Sequence, residues 1–225
     1  MAEGWFVTGT DTGVGKTLVA AAMIVLLRRK GLSVAPMKPV AAGIEGGRYR
    51  DVDALVAAAG GFFAPELVNP YRFEAPIAPH IAAQRAGVTI ELQRIVDAYR
   101  RLAAGADAVV VEGAGGWRVP LGPGADTADL AQRLALPVVL VVRLRLGCLN
   151  HALLTAESVE RRGLALAGWV ANAADPGMEA ARENVVALAQ RLPAPLLGEI
   201  PLLPSPEPGA AALHLGGFPP LRLPD

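Results

Sequence analysis

The sequence predicts an α/β fold with a doubly wound, mostly parallel sheet, and three observations carry that prediction. Short apolar runs rich in Val and Leu alternate with longer Ala- and Leu-rich stretches whose apolar residues recur at helical spacing. At 225 residues the chain has room for one medium-sized core, and no composition shift or Ser/Gly-rich linker divides it, so residues 1–225 read as a single domain. The Gly-rich and charged motifs fall at the carboxyl ends of the predicted strands, where open α/β sheets hold ligands.

Taken in order, the first strand is the apolar run at residues 5–8, and a Gly-rich turn leads from it into a helix over 16–30. A second strand over 33–38 stops at Pro39, which disfavours helix at the residue before it. Helices over 51–59 and 90–104 flank residues 62–84, "FFAPELVNPYRFEAPIAPHIAAQ", whose four prolines break the alternation and predict a long excursion over the strand ends. Further strands follow at 108–112, 138–142, 164–171 and 197–200, with helices at 127–134, 150–162 and 178–190 between them. The Pro/Gly-rich tail from Pro201 is expected to loop around the sheet edge and end irregularly.

Composition excludes several function classes. Net charge is zero and the isoelectric point is near 6.8, so no basic field draws the chain to nucleic acid or to an acidic membrane surface. Mean hydropathy is high at +0.37, yet the most apolar run, "LALPVVLVV", ends at Arg143 and falls short of the ~18 residues of a membrane span. A single cysteine, Cys148, excludes an internal disulfide framework and a cysteine metal cluster, which suits a reducing cytosol. The start "MAEGWFVTG" enters the first strand at once, so a cytoplasmic location without a signal peptide is expected. His80, His151 and His214 show no zinc spacing and read as structural.

The stretch "FVTGTDTGVGKTLVA" has the grammar of a phosphate-binding loop: strand, Gly-rich turn, then Gly15, Lys16 and Thr17 opening a helix. It makes the fold P-loop NTPase-like. The loop is one residue wider than the usual pattern, with Thr10 to Val14 between Gly9 and Gly15, which leaves Asp11 and Thr12 near the phosphates. Lys16 is placed to reach the β- and γ-phosphates, the amides from Gly13 through Val14 and Gly15 to Thr17 and Leu18 to cradle them, and the Thr17 hydroxyl to meet Mg²⁺. "VVVEGAGGW" ends a strand in Glu112, a candidate Mg²⁺ ligand, followed by Gly113, Ala114 and Gly115, where backbone approaches a ligand closely. "APMKPVAAG" puts Lys38 at the end of the second strand, converging on the same oxygens. Only three of the 21 basic residues are lysine, and two of them stand at these ends. Asp53 is read as a second Mg²⁺ ligand and Asp51 as the cap of its helix, although for Asp53 a simple helix-dipole role is an equal alternative.

Two relatives of this architecture fit poorly. A GTPase switch needs Asp-x-x-Gly and Asn-Lys-x-Asp where this chain has "EGAGG" and "VANAAD", and a positioning ATPase carries a signature lysine where Asp11 stands. By contrast "VTGTDTGVGKT", "MKPVAAG", "VEGAGGW", "LGCLNHALLTAE", "LAGWVAN" and "APLLGEIP" together resemble the dethiobiotin synthetase family, in its order and over nearly the whole chain. The resemblance implies a ligase that takes ATP, Mg²⁺, CO₂ and 7,8-diaminononanoate and closes a ureido ring through a carbamic-phosphoric anhydride. Lys16 and Lys38 would be catalytic, and Thr17, Asp53 and Glu112 would hold Mg²⁺. Asn172 would read adenine, with Pro201, Leu202, Leu203 and Glu207 lining the adenosine. Thr12, Lys38 and Ala42 would face the substrate, and a partner subunit of a homodimer would complete its site with Gly147, Cys148, Leu149 and Asn150. The chain departs from the family pattern at Ala42, where a hydroxyl is usual, at Arg143 and Arg145, in place of a small residue and a frequent lysine, and at Asn184, where some members have tyrosine. Arg145 is still expected to serve the substrate carboxylate; Arg143 has no assigned part.

Overall fold

A computed structural model describes residues 2–173 and 178–216, so the end of the predicted tail lies outside the described residues. The chain runs β1 (Glu3–Gly9), α1 (Lys16–Arg29), β2 (Val34–Met37), β3 (Val40–Ala42), α2 (Arg50–Ala59), α3 (Pro65–Val68), β4 (Tyr71–Phe73), α4 (Pro79–Arg85) and α5 (Leu92–Ala104). It continues through β5 (Ala108–Glu112), β6 (Pro120–Gly122), β7 (Ala125–Asp126), α6 (Thr127–Leu134), β8 (Val138–Arg143), α7 (Cys148–Arg161), β9 (Leu166–Asn172), α8 (Ala181–Ala189), β10 (Leu196–Ile200) and α9 (Pro208–Ala211).

Six strands form one parallel sheet in the order β10-β9-β8-β1-β5-β2. After β1 the chain crosses to β2 at one edge, returns through β5, then passes over β1 to build β8, β9 and β10 on the other side. Such a reversal opens a crevice beyond the strand ends at β1. Both parities of the central strands are apolar because both faces are covered. Phe6, Val109, Val111 and Val138 pack with α5 and α6, while Trp5, Val7, Val110, Val139 and Val141 pack with α1, α2 and α9. Leu140, Val142, Trp169 and Ala171 meet α7 and α8.

Local chemistry sets the ends of the helices. Asp126 opens α6 with a reciprocal cap: its Oδ1 accepts from the Asp129 amide at 3.0 Å, and Asp129 Oδ2 accepts from the Asp126 amide at 2.8 Å. Gly60 closes α2 in the left-handed region at φ 64°. The predicted strands and helices all occur, with shifted ends. α7 starts two residues earlier than expected because Gly147, at φ 93°, turns the chain directly into the helix. The proline-rich excursion contains structure that periodicity did not reveal: two short helices and β4, which pairs with β3 from Val40↔Tyr71 to Ala42↔Phe73. These strands are three residues long, too short to show an alternation, and only tertiary pairing defines them.

Candidate active site

The loop after β1 owes its shape to two glycines. Gly13 and Gly15 sit at φ 70° and 98°, a region that side chains with a Cβ rarely enter, and a Cβ on Gly15 would lie 2.1 Å from Asn172 Nδ2. Val14 between them is fully buried, and Asn172 Nδ2 donates to its carbonyl at 2.8 Å. Lys16 opens α1, is buried, and donates from Nζ to the Asp11 carbonyl at 2.9 Å. Burial pushes the Lys16 ammonium down to about 8; the Glu112 carboxylate opposes that shift and the neighbouring Lys38 charge reinforces it. Asp11 lies below its ordinary range, because Oδ1 accepts from the Thr12 amide at 2.7 Å and Oδ2 meets Arg145 at 2.7 Å.

The neighbouring strand ends supply a compact ionic cluster. Lys38, just past β2, reaches Glu112 Oε1 at 2.6 Å, Asp51 Oδ2 at 3.0 Å and the Gly113 carbonyl at 3.3 Å. Thr17, on the first turn of α1, donates to the same Glu112 Oε1 at 2.8 Å. Lys38 and Glu112 are only 3% and 1% exposed, so neither charge could stay here unpaired. Burial alone would lower the Lys38 ammonium, yet Glu112 and Asp51 hold it above its ordinary value. Burial works upward on Asp51, and Lys38, Thr17 and Lys16 together bring it below the usual carboxylate range. The position of Lys38 is fixed from behind by Asn69, whose Nδ2 donates to the Lys38 carbonyl at 2.6 Å and to that of Tyr71 at 2.9 Å. Nothing in the local sequence marks Asn69, since its partners come together only when β3 and β4 pair.

Asp53, expected as a metal ligand, stands apart from this cluster. It pairs with Arg48 at 2.7 Å on the exposed side of α2, and Asp51 reaches Lys38 in its place. Two residues along a helix turn the side chain by about 200°, so the two acids cannot share a face. Asp51 is also not the helix cap, a place held by Tyr49. The oxygen set of Thr17, Glu112 and Asp51 fits a small hard cation, which is held by one or two carboxylates together with phosphate and water. In support, Glu112 Oε2 is buried without a hydrogen-bond partner. Among the described residues no group of three His, Cys, Asp or Glu is placed to hold a metal ion.

The remaining expected residues surround this centre. The loop after β5 lies against the phosphate loop: a Cβ on Gly115 would stand 3.6 Å from Thr12 Oγ1, and one on Gly116 would stand 3.6 Å from the Gly9 carbonyl. Gly113 gives its carbonyl to Lys38, and Ala114 lies between these points. Ala42 ends β3 on a cavity of about 240 Å³ that also has Glu45 and Asp51 on its walls. Asn172 ends β9 beneath the loop and is buried, while Pro201 and Leu202 are exposed beyond β10 and Leu203 packs towards α1. Glu207 stands at the start of α9. Gly147 opens α7, followed by buried Cys148, whose amide is already donated to the Arg145 carbonyl at 3.0 Å, then Leu149 and Asn150. Asn184 is half-buried, and its Nδ2 donates to the carbonyl of Ala180, the cap of α8, at 2.8 Å. Arg145 is engaged with Asp11 of its own chain, and Arg143 Nη1 donates to the Gly13 carbonyl at 3.1 Å.

The parallel sheet and the loop at its switch point place the chain among the phosphate-loop nucleotide-binding α/β proteins. Solved structures agree on the fold: the septum site-determining protein MinD of Pyrococcus horikoshii, in complex with Mg-ADP, aligns with a TM-score of 0.61 at 16% identity over 95% of this chain and 87% of its own. The cell division protein MinD of Aquifex aeolicus aligns with 0.57 at 15% identity over 93% and 87%. A family model described as an AAA domain matches residues 3–209. The ATP-dependent dethiobiotin synthetase BioD of Aromatoleum aromaticum is 52% identical over 95% of this chain and 97% of its own length, and that of Pseudomonas aeruginosa strain UCBPP-PA14 is 53% identical over 94% and 95%. The chain belongs to the dethiobiotin synthetase family.

Proposed function

We propose that the protein is an ATP-dependent ligase of biotin biosynthesis that converts 7,8-diaminononanoate and CO₂ into dethiobiotin, with ATP giving ADP and phosphate. The observation that carries this reading is the convergence of two buried lysines, Lys16 and Lys38, with Thr17, Asp51 and Glu112 on one phosphate loop. One substrate amine adds CO₂ and releases a proton to form a carbamate. A carbamate oxygen then attacks the γ-phosphorus, the bond to ADP breaks, and the other amine attacks the carbamoyl carbon and expels phosphate. Carbamate and triphosphate repel each other, and the lysines supply the fixed positive charge that lets them meet. Because the carbamate is already an anion, no strong protein base is required.

Mg²⁺, when bound, would neutralise charge on the phosphoryl group being transferred. Thr17, Glu112 and Asp51 are the residues that would hold it, with the unpartnered Glu112 Oε2 available for it. Lys38 has two tasks in this scheme: it compensates the buried Glu112 at rest and presents an ammonium to the reacting oxygens. The chain is read as a homodimer in which a second copy offers the Gly147–Asn150 turn to the substrate. Exposed apolar residues on either side of that turn, Leu146 at 97% and Leu154 at 57%, support a covered face there. No helix among the described residues is long and apolar enough to cross a membrane, and a cytoplasmic enzyme is proposed.

The test is phosphate release from Mg-ATP and bicarbonate with and without 7,8-diaminononanoate, with mass spectrometry of the product. Release that depends on the diamine and yields dethiobiotin is expected. Hydrolysis indifferent to the diamine, without product, would overturn the reading and favour a regulatory ATPase of the same fold.

A further inference from the structure

We propose that Asp11, Arg143 and Arg145 form a brace on the phosphate loop that holds it and Lys16 ready for the triphosphate. The proposal deepens the nucleotide-binding reading and rests on it. Three contacts tie the loop to the end of β8 and the turn that follows it. The Thr10 amide donates to the Val141 carbonyl at 3.1 Å, Arg143 Nη1 donates to the Gly13 carbonyl at 3.1 Å, and Arg145 Nη2 meets Asp11 Oδ2 at 2.7 Å. The first contact is backbone only, so it is open to any sequence. The other two exist because arginines stand at 143 and 145.

Asp11 is the hub of the arrangement. Its Oδ1 holds the Thr12 amide at 2.7 Å, its Oδ2 holds Arg145, and its carbonyl holds Lys16 Nζ at 2.9 Å. A shift of Asp11 therefore moves both the loop tip and the resting place of the lysine. A phosphate loop turns its amides toward the anion. Arg143, by contrast, grips a loop carbonyl, and Arg145 grips a carboxylate, so both guanidiniums act on the loop rather than as phosphate ligands.

The physical need for a brace comes from the width of the loop. It carries one residue more than the usual pattern and has two glycines at positive φ, so ordering it around a ligand costs more conformational entropy. Tying it to a strand end before the ligand arrives removes part of that cost, and the gain appears as nucleotide affinity. Arg145 is thus a positioning residue for the nucleotide, and the side chain expected to catch the substrate carboxylate is occupied within its own subunit.

The test uses the full-length protein and the Mg²⁺ complex of a non-hydrolysable ATP analogue, with calorimetric affinity and steady-state kinetics read side by side. Arg145→Ala should weaken analogue binding about twofold to fivefold, the range of a partly exposed ion pair, and raise the KM for ATP in the same proportion. Arg145→Lys should recover most of the loss. Asp11→Asn keeps a side-chain oxygen for the Thr12 amide but removes the charge, and Asp11→Asn with Arg145→Ala should be no worse than either single change, the mark of coupled residues. Melting temperatures near wild type would show that the variants fold. Unchanged analogue affinity in both single variants, or losses that add, would overturn the brace. A rise in KM for the diamine alone would return Arg145 to the substrate carboxylate. Failure of wild type to bind the analogue would instead remove the nucleotide reading beneath it.

Discussion

Lys38→Ala separates the two tasks given to this lysine. In the resting protein it leaves Glu112, 1% exposed, with the Thr17 hydroxyl as its remaining partner, and frees Asp51 toward solvent. Removing one member of a buried ion pair costs about 3–5 kcal/mol, and entry of water from the half-exposed Asp51 side places this case near the lower end, about 3 kcal/mol. For a chain of this size each kcal/mol moves the melting temperature by roughly 2–4 °C, so a fall of about 6–12 °C is expected without ligand. Mg²⁺ should narrow that gap, because it gives Glu112 a new positive partner. In turnover the variant should lose about 10²–10³ in kcat, the usual effect of deleting a transition-state charge, with nucleotide affinity within a few-fold of wild type. Differential scanning fluorimetry with and without Mg-ATP, nucleotide titration and single-turnover phosphate release measure these quantities. A melting temperature within about 2 °C of wild type would refute the buried pair, and equal losses in kcat and nucleotide affinity would reduce Lys38 to a binding residue.

Two further outcomes follow from the loop itself. With the Lys16 ammonium at about 8 in the free protein and restored toward its ordinary 10.5 by a bound triphosphate, the complex holds more protons than the free protein across that interval. Nucleotide affinity should therefore be flat below about pH 8 and fall by up to about tenfold per pH unit above it; calorimetry in buffers of different ionisation enthalpy should show proton uptake, and a constant Kd from pH 7 to 10 would contradict the assignment. Asn172→Ala removes the donor on the Val14 carbonyl and should weaken ATP and GTP alike by about fivefold, near 1 kcal/mol for one hydrogen bond, whereas a loss confined to ATP would give Asn172 back its expected contact with adenine.

The expectation for Asn172 illustrates where sequence reasoning stops. Its place at a strand end was legible, since "LAGWVAN" ends an apolar run. The direction of its amide was not, because Val14 lies 158 residues away and meets it only across the folded sheet. Asp51 and Asp53 pose the same problem in miniature: both are acids at one helix start, and the phase of α2 alone decides which one faces Lys38.

The sequence by itself determined the layered α/β fold, the phosphate loop, and the arrival of Lys38 and Glu112 at strand ends. Those features follow from local causes: apolar periodicity for strands and helices, glycine where φ is positive, and a helix start where anions bind. Only the tertiary structure decided that Thr17, Lys38, Glu112 and Asp51 form one cluster, that Asn69 supports it, and that two arginines grip the loop. These are contacts between segments distant in the chain, and their geometry depends on sheet order and helix phase, which no local pattern encodes.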